Sequence, residues 1–409
     1  MRVASCPTAG TFVGIDWGGS HHQVCLLDPT GELLGQRRLA HDRDGFAVLD
    51  RLLSAAPAPV RVALERAEGL LVEHLQDLGI GDVYPVSPRV SARARERYRL
   101  APVKSDSFDA FVLADTLRHE YRHWRPLRRP SRLLAELRAV SRDRGRLVGA
   151  QRVGGVAAAR GVGRLPSGAA APVLRVGPGH RVGVRPRLSD AGARVPGGDR
   201  ADGGVLRPAR VFGADDTEVL VGRLRPHLLA GSAGTTAGKA FTARMLVDQL
   251  ELLNAQLRGY GKRLTELLGE HPDTEIFRSF PGLGPVTAAV LLAEMGEDRG
   301  RFPTPAVLLA EAGLSPVTRA SGRTRQVRFR YTANSRMRHA VDWWAFTSTR
   351  ECEWARRVYD DGRARGQGKY RALRGLGGRW MRILWRCWTD HVPYDPSRHS
   401  AATTEAVTA

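Results

Sequence analysis

The stretch Thr11–Asp28, TFVGIDWGGSHHQVCLLD, decides how the first part of this chain is read. Apolar and β-branched residues alternate through its first half, the pattern of a strand with one face buried. A Gly-rich turn at GGS joins it to a second apolar strand, and PTGEL (29–33) supplies the next turn. Working outward, RVALE (61–65) and DVYPV (82–86) are two more short strands. Between them EGLLVEHLQDLG (68–79) has the apolar spacing of an amphipathic helix that ends at Gly79. From SDSFDAFVLADTLRHEY (105–121) onward the pattern is helical, and 133–150 continues as a helix. Strands followed by a strand–helix–strand unit imply a mixed sheet flanked by helices, an α/β domain succeeded by α structure.

Composition narrows the partners. The chain has 409 residues, enough for two or three domains, with 63 Lys and Arg against 42 Asp and Glu and a net charge of +21. Such a field attracts polyanions, nucleic acid foremost. Four cysteines, Cys6, Cys25, Cys352 and Cys387, show no zinc-finger spacing, which fits a reduced cytoplasmic protein. No apolar run reaches membrane-spanning length and no signal-peptide core is present, so a cytoplasmic, nucleoid-associated location without membrane is expected.

Residues 151–210 break the pattern. They are dominated by Gly, Arg, Ala, Val and Pro and contain no Phe, Trp, Tyr, Lys, Glu or Ile. Too few bulky side chains are present to build a core. A long disordered linker gives this composition, and so does a GC-rich gene read out of frame. The abrupt return of patterned sequence near Val211 favours the second reading.

Leu246, Leu250, Leu253, Leu257, Tyr260, Leu264 and Leu267 repeat at alternating intervals of four and three, a heptad seam on one helix. Gly259 and Gly261 weaken its middle. The seam packs either within its own domain or, as a coiled-coil arm, on another helix. Residues 275–390 read as helical with turns. In FRSFPGLGPVTAAVLLAEMG (277–296) the tight turn has the punctuation of a helix-hairpin-helix, and Gly282 and Gly284 would let backbone N–H groups approach a nucleic-acid phosphate. RWMRILWRCW (379–388) reads as a buried helix with a basic face.

The chemistry lies in four acids. Asp16 ends an apolar strand and Glu65 ends RVALE, while Asp106 and Asp109 stand three apart at a helix start and face one way. Taken singly, Asp106 could be a helix N-cap and Glu65 a surface residue. Together, four carboxylates would repel unless a divalent ion neutralised them, and oxygen ligands select Mg²⁺ or Mn²⁺. Two such ions about 4 Å apart clamp the attacking and leaving oxygens of a phosphodiester.

GIDWG (14–18), the Glu65 strand and KSDSFDA (104–110) resemble the acidic tetrad of the DEDD transposases of bacterial insertion sequences, the insertion sequence 110 group. Two later segments, PGLGPVTAAVLLAEMG (281–296) and AGLSPVTRASGRTRQVRFRYTANSRMRHA (312–340), resemble that group's C-terminal transposase domain. The resemblance implies a RuvC-like domain of ribonuclease H fold over 1–130 and a helical coiled-coil arm over 131–270. It further implies a C-terminal transposase domain over 271–395, with a disordered tail at 396–409. Asp16, Glu65, Asp106 and Asp109 would be the catalytic metal ligands and Ser321 the nucleophile, forming a covalent phosphoserine. Arg319, Arg323, Arg325 and Arg328 would bind nucleic acid beside it. DNA ends and target, an element-encoded guide RNA and a homo-oligomer, dimer or tetramer, are the implied partners. Ser105 and Ala333 stand where the family usually has Thr and Gly, and neither position carries a proposed catalytic group.

Three other readings compete. GIDWGGS also resembles the phosphate loop of actin-like sugar kinases, but no second Asp-Gly phosphate motif follows. A Holliday-junction endonuclease would use the acidic site alone, with no need of the C-terminal domain. A non-catalytic nucleic-acid-binding protein would not need four such acids in a basic chain.

Overall fold

The computed structural model describes residues 9–98, 105–162, 232–322 and 324–397. The chain forms two compact units, Met1–Pro130 and Ser131–Ala409.

The first unit is built on a five-stranded sheet of order β3-β2-β1-β4-β5. Its strands are β1 (Thr11–Trp17), β2 (His21–Leu27), β3 (Leu33–Ala40), β4 (Val60–Leu64) and β5 (Gly81–Pro85). The β1–β2 and β2–β3 pairs are antiparallel, and β1–β4 and β4–β5 are parallel. β3 and the helix α1 (Arg43–Ala55) were not among the elements expected from sequence; β3 is largely exposed and lacks a clean alternation.

Because side chains alternate along a strand, β1 serves two cores. Val13 and Ile15 pack with Leu49 and Leu53 of α1 and Leu71 and Leu75 of α2 (Leu70–Leu78). Phe12 faces the opposite way, among Ala110, Leu113, Ala114 and Leu117 of α4 (Asp106–Glu120). Gly14 lies on this second face, where a Cβ would stand 2.0 Å from the Ala110 carbonyl oxygen. Only glycine lets α4 approach β1 so closely. Gly79, in the left-handed region at φ 66°, ends α2 as expected. Before α4 comes α3 (Pro88–Arg95), capped by Ser87.

Among its described residues the second unit is helical apart from one hairpin. α5 (Arg132–Val162) runs on past residue 150 into the compositionally anomalous stretch. The remainder of that stretch, 163–210, lies outside the described residues, as does the tail from 398. α6 (Ala233–Glu270) continues unbroken through Gly259 and Gly261 and packs along α5 in antiparallel sense. Leu250, Leu264 and Leu267 of the seam are buried, and Leu264 and Leu267 share a core with Leu134 and Leu137 of α5. Polar links hold the two helices in register: Arg263 pairs with Glu136 at 2.5 Å, and the Gln151 side-chain amide donates to Asn254 Oδ1 at 2.5 Å. The seam therefore finds its partner helix within the same chain.

The same core continues through α7 (Thr274–Arg278), α8 (Pro285–Met295), α9 (Pro305–Glu311), α10 (Ser335–Glu351), α11 (Glu353–Ala364) and α12 (Lys369–Asp390). Trp344, Trp380 and Trp388 are its largest fully buried side chains. Arg379, Arg382 and Arg386 remain exposed, so α12 is a buried helix with a basic face, as its sequence indicates. Between α9 and α10 the expected helical pattern fails: β6 (Val317–Ser321) and β7 (Thr324–Arg328) form an antiparallel hairpin. Its strands are rich in Arg and largely exposed, so no apolar alternation announces them.

Candidate active site

The parallel register of β1 and β4 sets Ile15 opposite Leu64, so Asp16 and Glu65 follow as the next pair at the carboxyl ends of neighbouring strands. Adjacent strands lie about 4.8 Å apart. Asp16 shares its strand face with Phe12 and Gly14, the face covered by α4. Asp106 and Asp109 open α4 on that side. The helix is capped by Ser105, whose hydroxyl accepts from the Phe108 N–H at 3.3 Å, so Asp106 is not the cap. Both Asp106 and Asp109 sit in its first turn, where the helix dipole favours negative charge. Asp106 is exposed and Asp109 is buried.

A cation that sequence reading did not single out holds this group. Arg95, at the end of α3, donates from Nε to Asp109 Oδ1 at 2.6 Å, and its Nη2 stands 3.6 Å from Glu65 Oε1. One turn earlier the Ser91 hydroxyl donates to the same Glu65 oxygen. Ser91 and Arg95 are four residues apart and so share one helix face. Glu65 and Asp109 are thus joined through a guanidinium, with Asp16 and Asp106 on the same side of the sheet. The expected direct convergence of four carboxylates is not formed: among the described residues no three His, Cys, Asp or Glu side chains are grouped to hold a metal ion. Carboxylates repel at close range, and Arg95 takes the position of a shared counter-ion between two of them.

On the opposite face of the sheet, against α1, lies a cluster of rings. His22 Nε2 is 2.7 Å from His41 Nδ1, and Trp17 stacks on His41 with centroids 6.3 Å apart. Burial, and then the charges of His41 and His21, push the His22 pKa down to about 4. His22 is therefore neutral at pH 7.

In the second unit Ser321 ends β6 and pairs with Thr324 across the turn. Gly322, at φ 53°, supplies a conformation that other residues rarely adopt. Cross-strand partners share a face, so Ser321 lies on the same face of the ribbon as Gln326 and Arg328, and Arg325 lies on the other. Arg328 Nη2 donates to Gln326 Oε1 at 2.7 Å. Ser321, Arg325 and Arg328 are all exposed; Arg323 lies outside the described residues, and Arg319 belongs to β6. The serine therefore stands at the tip of an exposed basic ribbon.

The two glycines expected to approach phosphate separate. Gly282 donates its N–H to Glu351 Oε2 at 2.9 Å, and at φ 71° a Cβ there would meet the Ser348 backbone nitrogen at 2.5 Å. Its smallness serves close packing on α10, and its N–H is already paired with a carboxylate. Gly284 begins α8 without a side-chain cap and has open space around it. Sequence reading also passed over Glu294. This buried carboxylate accepts from Asn334 Nδ2 at 2.7 Å and Arg336 Nε at 2.6 Å, and its pKa is lowered. Burial opposes that shift; the Arg336 and Asn334 hydrogen bonds outweigh it. Asn334 also caps α10, fixing the chain just beyond the ribbon.

Carboxylates at the ends of adjacent sheet strands, in a chain of net charge +21, are the equipment of an enzyme that works on nucleic-acid backbones. Residues 13–153 match a family model described as a transposase, and residues 274–360 match the model of the transposase IS116/IS110/IS902 family. The chain is 32% identical over 412 residues to the mini-circle protein of IS117 from Streptomyces coelicolor, covering 97% of this chain and 98% of that one. It is 26% identical to the 42 kDa protein of insertion element IS900 from Mycobacterium paratuberculosis, covering 96% and 98%. It is 29% identical to the 44.8 kDa protein of insertion element IS116 from Streptomyces clavuligerus, covering 94% and 96%. The chain belongs to this insertion-sequence transposase family, whose members cleave and rejoin DNA. Among the described residues no helix is long and apolar enough to cross a membrane.

Proposed function

We propose that this transposase cuts and rejoins DNA with a metal-dependent acidic site on a RuvC-like domain and with Ser321 as nucleophile. The observation that carries the reading is Arg95, one cation shared by Glu65 and Asp109, with Asp16 ending the strand next to that of Glu65 and Asp106 opening the helix that carries Asp109. Hard oxygen donors suit Mg²⁺ or Mn²⁺, and Arg95 between Glu65 and Asp109 is a stand-in positive charge where such an ion would be held. When bound, the ion supplies Lewis acidity toward the phosphate and stabilises charge on the leaving oxygen.

Ser321 Oγ attacks the phosphorus, a bond from Ser321 to phosphate forms, and the bond to the sugar oxygen breaks. The sugar oxygen leaves as a hydroxyl with a proton, and the phosphate is retained on the serine. Attack by a different sugar hydroxyl reverses the step and rejoins the strand, with no net change in phosphodiester count. Arg319 of β6 and Arg325 and Arg328 of β7, with Arg323 next to Gly322 in sequence, neutralise the phosphate. The N-terminus of α8, which has no side-chain cap at Gly284, offers backbone N–H groups to a neighbouring phosphate. The family resemblance adds a guide RNA, a homo-oligomer and a nucleoid-associated cytoplasmic location to this reading.

The test is cleavage of labelled element-end DNA by the full chain with Mg²⁺, with Mn²⁺ and with a chelator. Cleavage that needs the metal and is lost in Asp16→Ala and Glu65→Ala is expected. Undiminished cleavage in chelator would remove the acidic site from the account.

A further inference from the structure

Tyr331 is the most exposed large apolar side chain among the described residues, at 79%. It lies between β7 and α10, in the segment that follows the exposed ribbon. Its support is rigid. The ring stands edge-on to Phe329, centroids 5.0 Å apart and planes at 81°. Phe329 in turn packs against two guanidiniums, Arg338 of α10 at 4.9 Å and Arg374 of α12 at 4.6 Å. The backbone on either side is tied down. Arg330 donates from its side chain to the Ser315 carbonyl, Arg338 donates to the Arg330 carbonyl at 2.9 Å, and the Asn334 N–H donates to the Glu311 carbonyl at 2.8 Å. The ring is thus held in place from below while most of its surface meets solvent. The strand leading to it carries the exposed cations Arg325 and Arg328.

We infer that Tyr331 is a stacking platform for an unpaired nucleobase of a single DNA strand whose phosphates lie along the β6–β7 ribbon. The inference rests on the transposase reading and deepens it. A fixed, open aromatic ring next to an exposed strand that carries arginines is the combination that binds single strands, with bases on rings and phosphates on cations. A duplex keeps its bases stacked on one another and offers a ring only groove edges, so the occupant is a strand with a base out of the helix. Rejoining a cut strand to a different partner requires its end to leave the original duplex, so an unpaired end arises where Ser321 would act. Holding the ring before the strand arrives lowers the ordering cost of binding.

The test uses the full chain and fluorescence anisotropy of a labelled single-stranded oligonucleotide at several salt concentrations, alongside the matching duplex. Tyr331→Ala is expected to weaken single-strand binding about tenfold, the loss typical of one stacked base. Tyr331→Phe retains binding, because the ring and not the hydroxyl makes the contact. The dependence of log affinity on log salt keeps its slope in Tyr331→Ala, whereas Arg325→Ala lowers that slope by about one phosphate contact, roughly 0.7. Duplex binding is unchanged in Tyr331→Ala, and an unchanged melting temperature shows that the variant is folded. Wild-type affinity in Tyr331→Ala, an equal loss on duplex, or an equal loss in Tyr331→Phe would each overturn the stacking role while leaving the transposase reading in place. Failure of the wild-type chain to bind either form of DNA would instead strike at the transposase reading itself.

Discussion

Replacing Arg95 by Met tests the acidic site through its counter-ion. The variant keeps an unbranched stem of similar reach and removes the charge. Arg95 meets Asp109 at 2.6 Å and Glu65 at 3.6 Å, and its side chain is 32% exposed against 5% for Asp109. A divalent ion held by those carboxylates would stand within about 4 Å of the guanidinium. Even at the dielectric of water, charges of two and one at that distance repel by about 2 kcal/mol, roughly thirtyfold in affinity. Because the half-exposed guanidinium is free to swing into solvent, Arg95→Met should bind Mg²⁺ or Mn²⁺ about tenfold more tightly than wild type. Without metal the variant leaves the buried Asp109 carboxylate short of its partner. Loss of a fully buried partner costs about 3–5 kcal/mol, and the exposure of Arg95 and Glu65 reduces this to about 2 kcal/mol. Added Mg²⁺ should restore more melting temperature to the variant than to wild type. Isothermal titration calorimetry and thermal melts with and without metal read both effects. Equal affinity and equal metal-free stability in the two proteins would show that Arg95 is an incidental surface contact.

Two further outcomes follow from particular contacts. Burial holds the folded His22 pKa near 4, below its ordinary value of 6.5, so the unfolded chain takes up the proton first as pH falls. Stability is therefore full above pH 6.5 and is lost as pH drops toward 4, by about 1–2 kcal/mol between pH 7 and pH 5; a melting-temperature profile that His22→Gln leaves unaltered over this range would refute it. Gly14→Ala sets a Cβ 2.0 Å from the Ala110 carbonyl oxygen and should push α4 off β1, destabilising the first unit by about 3 kcal/mol in denaturant melts; wild-type stability would mean that α4 is not seated as described.

Strand periodicity made much of the first unit legible. Alternation through Thr11–Trp17 is enough to put Asp16 on the face opposite Val13 and Ile15, because a period of two leaves no other choice. The seam of α6 was legible as a buried stripe, but a heptad pattern does not name its partner. That partner, α5, runs into a composition that gives no helical signal, although the helix reaches Val162. The β6–β7 ribbon was hidden because a hairpin exposed on both faces has no apolar pattern to read. Arg95 was hidden for a different reason: Glu65, Arg95 and Asp109 are far apart in sequence and meet only when α3 is laid beside α4. The paired N–H of Gly282 likewise depends on Glu351, 69 residues away, which the PGLG motif cannot reveal.

The central claim is that Ser321 carries the DNA phosphate while the acidic site assists it. A denaturing gel of end-labelled DNA after incubation of the full chain with Mg²⁺ tests this most directly. Wild type should give a protein–DNA adduct that resists denaturation and disappears on protease treatment, and Asp16→Ala should give none. Ser321→Ala should give neither adduct nor strand transfer while binding DNA as wild type does. An adduct formed by Ser321→Ala, or normal cleavage by that variant without any adduct, would contradict the account, the second outcome pointing to water as the nucleophile.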